Sequence, residues 1–348
     1  MRGCLQSIIG VVDEIVVVDT GSTDDTIAIV QSFGLKVRQL TWADDFATAR
    51  NYGLAAATSD WILYIDADER LHIVGPEVLR AGLDDPLVFV ARPRFRPTVG
   101  GTDCRELRLF RNDPRLRFRG SMHETIVPDL ERLQRDIGAR IIDSDARIVH
   151  LGYEGDLTAK HLRNIPLLRR AMEENPERLY NWHQLSEALA AIGKTDEALG
   201  VAQEGLSKAR GQAAGNPMAA QLAWTAARLL RDRGEDALPV IEYGLSVVPG
   251  HRSLQFLLAH ALVDRADYAR ALEIIGELTA IEPESYCDPL LSYDRNIFGA
   301  YAHDLAGLAL LRMGKKLEAS EAFSHAARAA PDDPTYRVKA LALGAAPF

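Results

Sequence analysis

Apolar residues follow two different patterns along this chain of 348 residues, and the change falls near residue 155. In the first part, short apolar runs alternate with segments whose apolar residues recur at helical spacing. The runs predict three strands, at Glu14–Asp19, Lys36–Leu40 and Trp61–Ile65. Helices are predicted between them at Thr23–Phe33 and Asp44–Ala57, the second with Asp44 as its N-cap. Strands and helices in this order are typical of a parallel βαβ sheet.

Beyond Pro86 the pattern becomes that of antiparallel strands. It predicts four of them, at Leu87–Arg94, Glu106–Phe110, Ala139–Ile142 and Ala146–His150. Residues 1–155 are therefore predicted to form one α/β domain with a mixed, Rossmann-like sheet.

Over residues 156–340 the strand patterns are absent and a helical pattern repeats. Prolines mark the ends of the repeats, and the last full step, from Pro249 to Pro283, is 34 residues long. A small residue recurs five positions before an alanine: Gly193, Ala266 and Gly314 before Ala198, Ala271 and Ala319. We expect these small residues to let paired helices approach closely. The segment resembles a degenerate tetratricopeptide-repeat array, with an unrelated helical bundle as the alternative.

The repeats also predict a binding role. Stacked helix pairs form a concave surface, so we expect it to bind a protein partner or an acceptor. The segment Ser285–Phe298 interrupts the repeats and is predicted to be an insertion.

Charge and cysteine content exclude several classes of function. The net charge of −9 argues against nucleic-acid binding through bulk electrostatics. Cys4, Cys104 and Cys287 form no CxxC pair, so neither a disulfide framework nor a zinc knuckle is predicted. No apolar run approaches the roughly 18 residues of a membrane-spanning helix. These features predict a cytoplasmic protein, with a peripheral position at the inner face of the membrane as the alternative.

Three carboxylates follow the third strand directly, in the sequence YIDADERL. An unpaired buried carboxylate costs several kcal/mol, so these acids are expected to emerge at the end of the strand. In an extended segment Asp66 and Asp68 would point to the same side, and such a pair suits Mg²⁺ or Mn²⁺. We expect Glu69 to face the ion as well. A phosphatase motif of the DxDx(T/V) kind competes with this interpretation, but Arg70 occupies the position of its Thr or Val. Without a glycine-rich P-loop, NTPase chemistry is not predicted.

A second acidic motif, VVVDTGSTDDT, ends another strand of the same predicted sheet. Asp19 stands at the strand end, Gly21 permits a tight turn, and Asp24 opens the next helix. For Ser22 and Asp24, simple N-capping is an equally good explanation. Two acidic strand ends in one sheet nevertheless indicate a ligand site.

Four motifs, in order, make residues 4–155 resemble a known enzyme family: DTGSTDDT, WADDFATARNYGL, DWILYIDADE and RLFRNDPRLRFRGSMHETI. They are similar to those of the family 2 inverting glycosyltransferases of GT-A fold. Within that family the chain resembles a bacterial subgroup that includes lipopolysaccharide-core glucosyltransferase-like proteins and peptide S-glycosyltransferases. Members of this subgroup often carry C-terminal tetratricopeptide repeats.

The resemblance implies a nucleotide-diphospho-sugar donor, with UDP as the expected nucleotide, and Mn²⁺ or Mg²⁺ as the cofactor. Asp66, Asp68 and His150 would hold the metal, which neutralises the charge that develops on the leaving diphosphate. The implied donor-binding residues are Asp19, Ser22, Asp45, Arg50, Asn51, Asp66 and Ala67.

Inversion also implies a general base that deprotonates the acceptor. Glu124 in the motif GSMHETI is the implied base, with His123 as the alternative. Arg108 and Arg111 would bind donor phosphate or acceptor, or would be ordinary surface residues.

Two functions fit these motifs. The first is metal-dependent, inverting transfer of a sugar to a glycan, lipid-linked or peptide acceptor. The second is a non-catalytic helical-repeat scaffold with a degenerate transferase domain. The intact DAD and HE motifs favour the first.

In one respect the chain departs from the family. Relatives begin with a further buried strand beside the one that ends at Asp19, whereas Met1 of this chain falls inside the first helix. An unpaired buried edge is unfavourable. We expect either that the true start lies upstream or that this form binds nucleotide weakly and is less stable.

Overall fold

The structure is a computed structural model that describes residues 1–152, 157–212 and 216–344. The chain divides into two compact units. Unit 1 comprises Met1–Leu157 together with Cys287–Ser292, and unit 2 comprises Thr158–Tyr286 and Tyr293–Phe348. In the described ranges, no helix is both long enough and apolar enough to cross a membrane.

Unit 1 combines helices with strands, which confirms the α/β class predicted from the sequence. The helices are α1 (Arg2–Ile8), α2 (Thr26–Ser32), α3 (Phe46–Ala56), α4 (Pro76–Arg80) and α5 (Val127–Ile137). The strands are β1 (Val17–Asp19), β2 (Val37–Gln39), β3 (Trp61–Leu63), β4 (Glu69–His72), β5 (Val88–Arg96), β6 (Asp103–Arg105), β7 (Leu109–Arg111), β8 (Arg140–His150) and β9 (Cys287–Asp288).

The strands form two sheets rather than one. β1 and β2 pair in parallel across α2, as the βαβ pattern predicted. β3 does not join them, because it pairs antiparallel with β7 in a seven-stranded sheet whose main path is β3-β7-β5-β6-β9. In the same sheet β8 runs parallel to β5 and antiparallel to β4. The prediction that the first three strands share one parallel sheet is wrong, since a short apolar run does not encode the direction of its partner.

Three local predictions also change. The runs at Ala139–Ile142 and Ala146–His150 are one strand, β8, with register shifts against β5. The strand predicted at Glu106–Phe110 begins later, as β7. The N-cap of α3 is Asp45 rather than Asp44, because the Asp45 carboxylate accepts the backbone N–H of Thr48 at 3.1 Å.

β1 and β3 each have one backbone edge without a strand partner in the described part of the chain. β1 pairs with β2 alone, and β3 pairs with β7 alone. The apolar side chains of Val17, Val18, Trp61, Ile62 and Leu63 in these strands are only half-buried.

The seven-stranded sheet of unit 1 separates two apolar cores. One core contains Leu5 and Ile8 of α1, Val30 of α2 and Leu79 of α4. The other contains residues of α3 and α5, among them Leu54, Leu130 and Leu133. Side chains of β5 contribute to both, so unit 1 has the layered α/β/α arrangement that places strand ends at an accessible edge.

The regular secondary structure in the described residues of unit 2 is α-helical, apart from a short 3-10 helix at Arg295–Phe298 within the predicted insertion. Successive helices pack against each other in pairs, which confirms the predicted helical-repeat class. The helices are α6 (Thr158–Glu174), α7 (Leu179–Ala191), α8 (Thr195–Arg210), α9 (Pro217–Asp232), α10 (Leu238–Val247), α11 (Arg252–Asp264), α12 (Tyr268–Thr279), α13 (Ala300–Arg312), α14 (Lys316–Ala329) and α15 (Pro334–Ala342).

The small residues of the repeats do not have the role that the sequence suggested. Gly193, Ala266 and Gly314 lie in the turns between paired helices, with φ of 79°, 61° and 79°. They supply the left-handed turn conformation. Close approach depends instead on helical glycines such as Gly205 and Gly307, where an added Cβ would lie 2.9 Å from Trp182 or 2.5 Å from Phe323. The recurring alanines Ala198, Ala271 and Ala319 are fully buried.

Candidate active site

Residues 66–69, which follow β3, form a tight turn, whereas an extended segment was expected from the sequence. The backbone N–H of Glu69 donates to the carbonyl oxygen of Asp66 at 3.0 Å, which closes the turn. Each of the three carboxylates therefore has a partner of its own. The pairs are Asp66 with Arg50, Asp68 with His150, and Glu69 with Arg108.

Glu69 points into the protein, so the expectation that it faces an ion is wrong. It is fully buried and accepts hydrogen bonds from the backbone N–H of Asp66 at 2.8 Å and from Arg108 Nη1 at 3.1 Å. Arg108 Nη2 lies 2.9 Å from Glu69 Oε1, although it is not aligned for a hydrogen bond to that oxygen. Burial raises the pKa of Glu69, and the guanidinium of Arg108 opposes this shift. Glu69 therefore fixes the orientation of the turn, through its hydrogen bond from the Asp66 N–H and its ion pair with Arg108.

Arg108 and Arg111 are both engaged inside unit 1. Arg108 is 6% exposed and stacks against the rings of Tyr64 and Phe95, 4.5 Å from each centroid. Arg111 donates to three backbone carbonyls between residues 83 and 88. These contacts give both residues a structural role, which differs from both alternatives that the sequence left open, phosphate or acceptor binding and an ordinary surface position.

Asp68 and His150 form the part of the site that best suits a divalent ion. His150 Nε2 lies 3.1 Å from Asp68 Oδ2, and His150 Nδ1 lies 3.0 Å from the carbonyl oxygen of Pro97. Both oxygens are acceptors, so each ring nitrogen needs a hydrogen. Burial lowers the pKa of His150, but the hydrogen bonds to Asp68 and Pro97 outweigh it and raise the pKa overall. A divalent ion would replace the proton on Nε2 and leave the Nδ1–H bond to orient the ring, as in many metal-binding histidines.

The donor set nevertheless includes few protein ligands. Across the described ranges, no group of three or more His, Cys, Asp and Glu side chains is arranged to hold a metal ion. Asp66 leaves the same turn as Asp68 but pairs with Arg50. These residues fit a hard cation that completes its coordination with phosphate oxygens and water, as Mg²⁺ often does.

Arg50, on α3, links the acidic turn to the candidate base. Its Nη2 lies 3.0 Å from Asp66 Oδ1, and its Nε forms a close ion pair with Glu124 Oε1. The guanidinium also stacks on Tyr64, 4.5 Å from the ring centroid. Burial opposes its charged state, yet Asp66 and Glu124 more than compensate and raise the pKa of Arg50. The guanidinium therefore stays charged between two carboxylates.

Glu124 stands in a loop whose backbone is strained and anchored. His123, immediately before it, has φ of 51°, a left-handed conformation that is unfavourable for a residue with a Cβ. The backbones of Arg119 and Thr125 close the loop with two hydrogen bonds of 3.0 Å. Asp129 of α5, which is 1% exposed, accepts from Arg119 and so fixes the loop to a helix. The loop holds Glu124 where it meets the guanidinium.

Two predicted donor-binding residues are engaged in local structure. The side-chain amide of Asn51 donates to the carbonyl of Phe118 and accepts its N–H, both at 2.9 Å. Asp45 caps α3 through Thr48. Asn51 joins α3 to the segment that leads into the loop of Glu124, and Asp45 fixes the start of α3. Both residues therefore help to position the site.

The second acidic motif forms a separate loop after β1. The carboxylate of Asp19 is 6% exposed and accepts the backbone N–H groups of Gly21 and Ser22 at 3.1 to 3.3 Å. The hydrogen bonds from Ser22 and Gly21 outweigh desolvation and lower the pKa of Asp19. Ser22 and Ala67 are exposed. Asp19 thus fixes the shape of this loop, which lies at the surface of unit 1.

The structure therefore connects some predicted site residues directly and leaves others apart. Arg50, Asp66 and Glu124 are joined by ion pairs, and Asp68 is joined to His150. Tyr64 was not among the predicted site residues, yet the guanidinium groups of Arg50 and Arg108 each lie 4.5 Å from the centroid of its ring. Its position two residues before the first acid of the turn was the only available signal.

Comparison with known proteins shows similarity to glycosyltransferases and to a repeat-containing protein. The family model described as Glycosyl transferase family 2 matches residues 1–126. A tetratricopeptide (TPR) repeat-containing protein of Synechococcus elongatus is 32% identical over 294 residues, which is 80% of this chain and 72% of that protein. The SPbeta prophage-derived glycosyltransferase SunS of Bacillus subtilis is 29% identical over 212 residues. That match covers 57% of this chain and 48% of SunS, so the chain spans about half the length of this relative.

Solved structures of tetratricopeptide proteins are similar to about half of the chain. The crystal structure of a thermophilic TPR protein in Thermus thermophilus covers 53% of this chain and 91% of its own, with 17% sequence identity and a TM-score of 0.38.

Proposed function

The chain belongs to glycosyl transferase family 2 and carries tetratricopeptide-like repeats, and from this we propose that it is a metal-dependent, inverting enzyme that uses a nucleotide-diphospho-sugar, with UDP as the nucleotide. The acceptor would be a glycan, a lipid-linked sugar or a peptide, which the helical repeats would help to present. The observation that carries the proposal is the connection of Glu124 and Asp66 through one guanidinium, that of Arg50. It supports the proposal because Glu124, the proposed base, is linked through it to the turn that would meet the diphosphate.

The proposed reaction is a single displacement at the anomeric carbon. The acceptor's nucleophilic atom forms a bond to that carbon while the bond from the carbon to the diphosphate oxygen breaks. The nucleoside diphosphate departs with the bonding electron pair. Glu124 takes the proton of the nucleophile, and its side chain, 10% exposed, is shielded from bulk water. His123 is the alternative base on sequence grounds, but its strained backbone supports a role in shaping the loop.

Asp68, His150 and Asp66 are the residues proposed to hold Mn²⁺ or Mg²⁺. When bound, the ion supplies positive charge against the diphosphate as negative charge develops on it. The chain's own contribution is to orient these ligands, through the bond from His150 to Pro97 and the closed turn after β3. Asp19, Ser22 and Ala67 are proposed to contact the nucleotide from the two loops at the strand ends.

A panel of UDP- and GDP-sugars incubated with the purified chain tests this function, with release of nucleoside diphosphate as the readout. We expect release with Mn²⁺, none with EDTA, and none for Asp68→Ala. The matched control is Asp136→Ala, an exposed acid of α5, which should behave as the wild type. If no donor in the panel is turned over and none raises the melting temperature, the chain is a non-catalytic repeat scaffold instead.

A further inference from the structure

Arg50 already contacts two carboxylates and an aromatic ring, so a bound phosphate would compete with them for the same guanidinium. Its side chain is 23% exposed, and it contacts Glu124, Asp66 and the ring of Tyr64 together. The one positive charge is shared by two carboxylates that have opposite tasks in the proposed reaction. Glu124 must accept a proton, whereas Asp66 belongs to the turn that would meet the diphosphate.

The contact with Glu124 blocks the proposed base. Arg50 Nε donates to Glu124 Oε1, so this oxygen is already engaged. Glu124 is 10% exposed, and solvent therefore screens the ion pair only weakly. While the pair persists, Glu124 is both partly neutralised and turned toward the guanidinium. An acceptor would meet a carboxylate that is not oriented to take its proton.

A diphosphate is a strong competitor for this guanidinium. Arginine binds phosphate oxygens in the same two-pronged geometry that it uses for carboxylates. The neighbouring guanidinium, Arg108, also contacts the Tyr64 ring, but its side chain is only 7% exposed and is bound to Glu69 and Glu106. Arg50 is therefore the better placed of the two to turn from Glu124 to an incoming phosphate.

We propose that Arg50 is a positioning switch for which Glu124 and the donor diphosphate compete, so that donor binding releases Glu124 to act as the base. This inference rests on the proposed function and adds regulation to it. Before the donor binds, Arg50 holds Glu124. After it binds, the guanidinium turns to the diphosphate and Glu124 faces the acceptor. The order of events limits deprotonation, and with it wasteful attack by water, to the complex that contains donor.

A double-mutant cycle on UDP affinity tests the competition without any turnover. UDP is titrated calorimetrically, in EDTA, into the wild type, Glu124→Gln, Arg50→Gln and the double variant. Removing Glu124's charge frees Arg50, so Glu124→Gln should bind UDP about threefold to tenfold more tightly. Arg50→Gln should bind about tenfold more weakly. In the Arg50→Gln background, the further change Glu124→Gln should have no effect.

Two controls separate this mechanism from simpler ones. Glu131→Gln, an exposed acid on α5, should leave UDP affinity unchanged. If Arg50→Gln does not fold, Arg50→Lys takes its place, because it keeps the charge but cannot span both acids and should shrink the effect of Glu124→Gln.

The outcomes distinguish this inference from the proposed function. If the wild type and Glu124→Gln bind UDP with equal affinity, the proposed Arg50 switch is wrong, but the proposed function is not affected. An equal gain from Glu124→Gln in both backgrounds also overturns the switch, since the effect would then be general electrostatics. If the wild type binds neither UDP nor GDP, with or without Mn²⁺, the proposed function fails and the switch fails with it.

Discussion

Unit 1 and unit 2 place their polar groups in different ways. In unit 1, buried or half-buried ion pairs join residues far apart in the chain: Arg50 and Glu124 are 74 positions apart, and Glu69 and Arg108 are 39 apart. In unit 2, pairs such as Arg170 with Glu174 are local and exposed, and a long-range pair such as Arg228 with Glu187, 41 positions apart, is only half-buried. Close packing of its helices depends instead on small residues. Unit 1 thus differs from unit 2 in burying long-range charge contacts, whereas the repeats depend on steric fit.

The largest effect is expected where unit 1 brings its charges together. Glu124→Gln keeps the shape of the side chain but removes its ability to accept a proton. We expect kcat to fall by roughly 10²–10⁴, with the melting temperature close to that of the wild type, as measured by single-donor kinetics and thermal unfolding. Glu131→Gln is the matched control. An unchanged kcat would transfer the role of base to His123 or to another acid.

The next effect concerns stability. Arg108→Met removes the partner of the buried carboxylate of Glu69 and should lower the free energy of unfolding of unit 1 by about 3–5 kcal/mol. Hydrogen exchange measured by mass spectrometry would localise the loss to β3, β4 and β7. Adding Glu69→Gln removes the unpaired charge and should recover part of the loss. A cost below about 1 kcal/mol would contradict the pairing, since an uncompensated buried charge is more costly than that.

In unit 2 the expected effect is smaller and steric. At Gly307 of α13, an added Cβ would lie 2.5 to 2.8 Å from three atoms of the Phe323 ring, which is 4% exposed and has little room to move. Gly307→Ala should therefore cost about 1–3 kcal/mol in chemical denaturation. Gly276→Ala on α12 is the matched control, because its Cβ would meet nothing within 4 Å. It should stabilise the helix by about 0.5–1 kcal/mol. If Gly307→Ala and Gly276→Ala changed the free energy of unfolding in the same direction, steric fit would not explain the packing of unit 2.

The same contrast explains what the sequence predicted. The repeats of unit 2 and the βαβ unit of β1, α2 and β2 were predictable, because apolar spacing reflects local burial. The acids Asp66 and Asp68 were predictable at a strand end. The turn that directs their side chains to different partners was not predictable, because a short polar segment has no periodicity that distinguishes a turn from a strand.

Long-range contacts were not predictable either. The pairing of Glu124 with Arg50, and the burial of Glu69 against Arg108, depend on where the fold brings distant segments together. The turn role of Gly193 and Gly314 depends on backbone conformation, which the identity of a small residue leaves open.

The smallest expected effect is a pH dependence of unit 2. Burial, with a smaller contribution from Arg231, lowers the pKa of His260 to about 4, although Asp264 opposes the shift. The unfolded chain, with an ordinary histidine pKa near 6.5, binds the proton first as the pH falls. His260 therefore contributes stability above pH 6.5 that is lost as the pH falls toward 4.

Because the His260 side chain is partly exposed, we expect roughly 1 kcal/mol of this loss between pH 7 and pH 5. Urea unfolding of wild type and His260→Asn at the two pH values measures it, and the difference between pH values should shrink in the variant. The slope that remains should reflect His183 and His303, whose pKa values burial also lowers. His72→Asn, in unit 1 and exposed, is the control. If His260→Asn and wild type lose the same free energy on acidification, His260 takes up its proton in the folded state and is not held neutral by its surroundings.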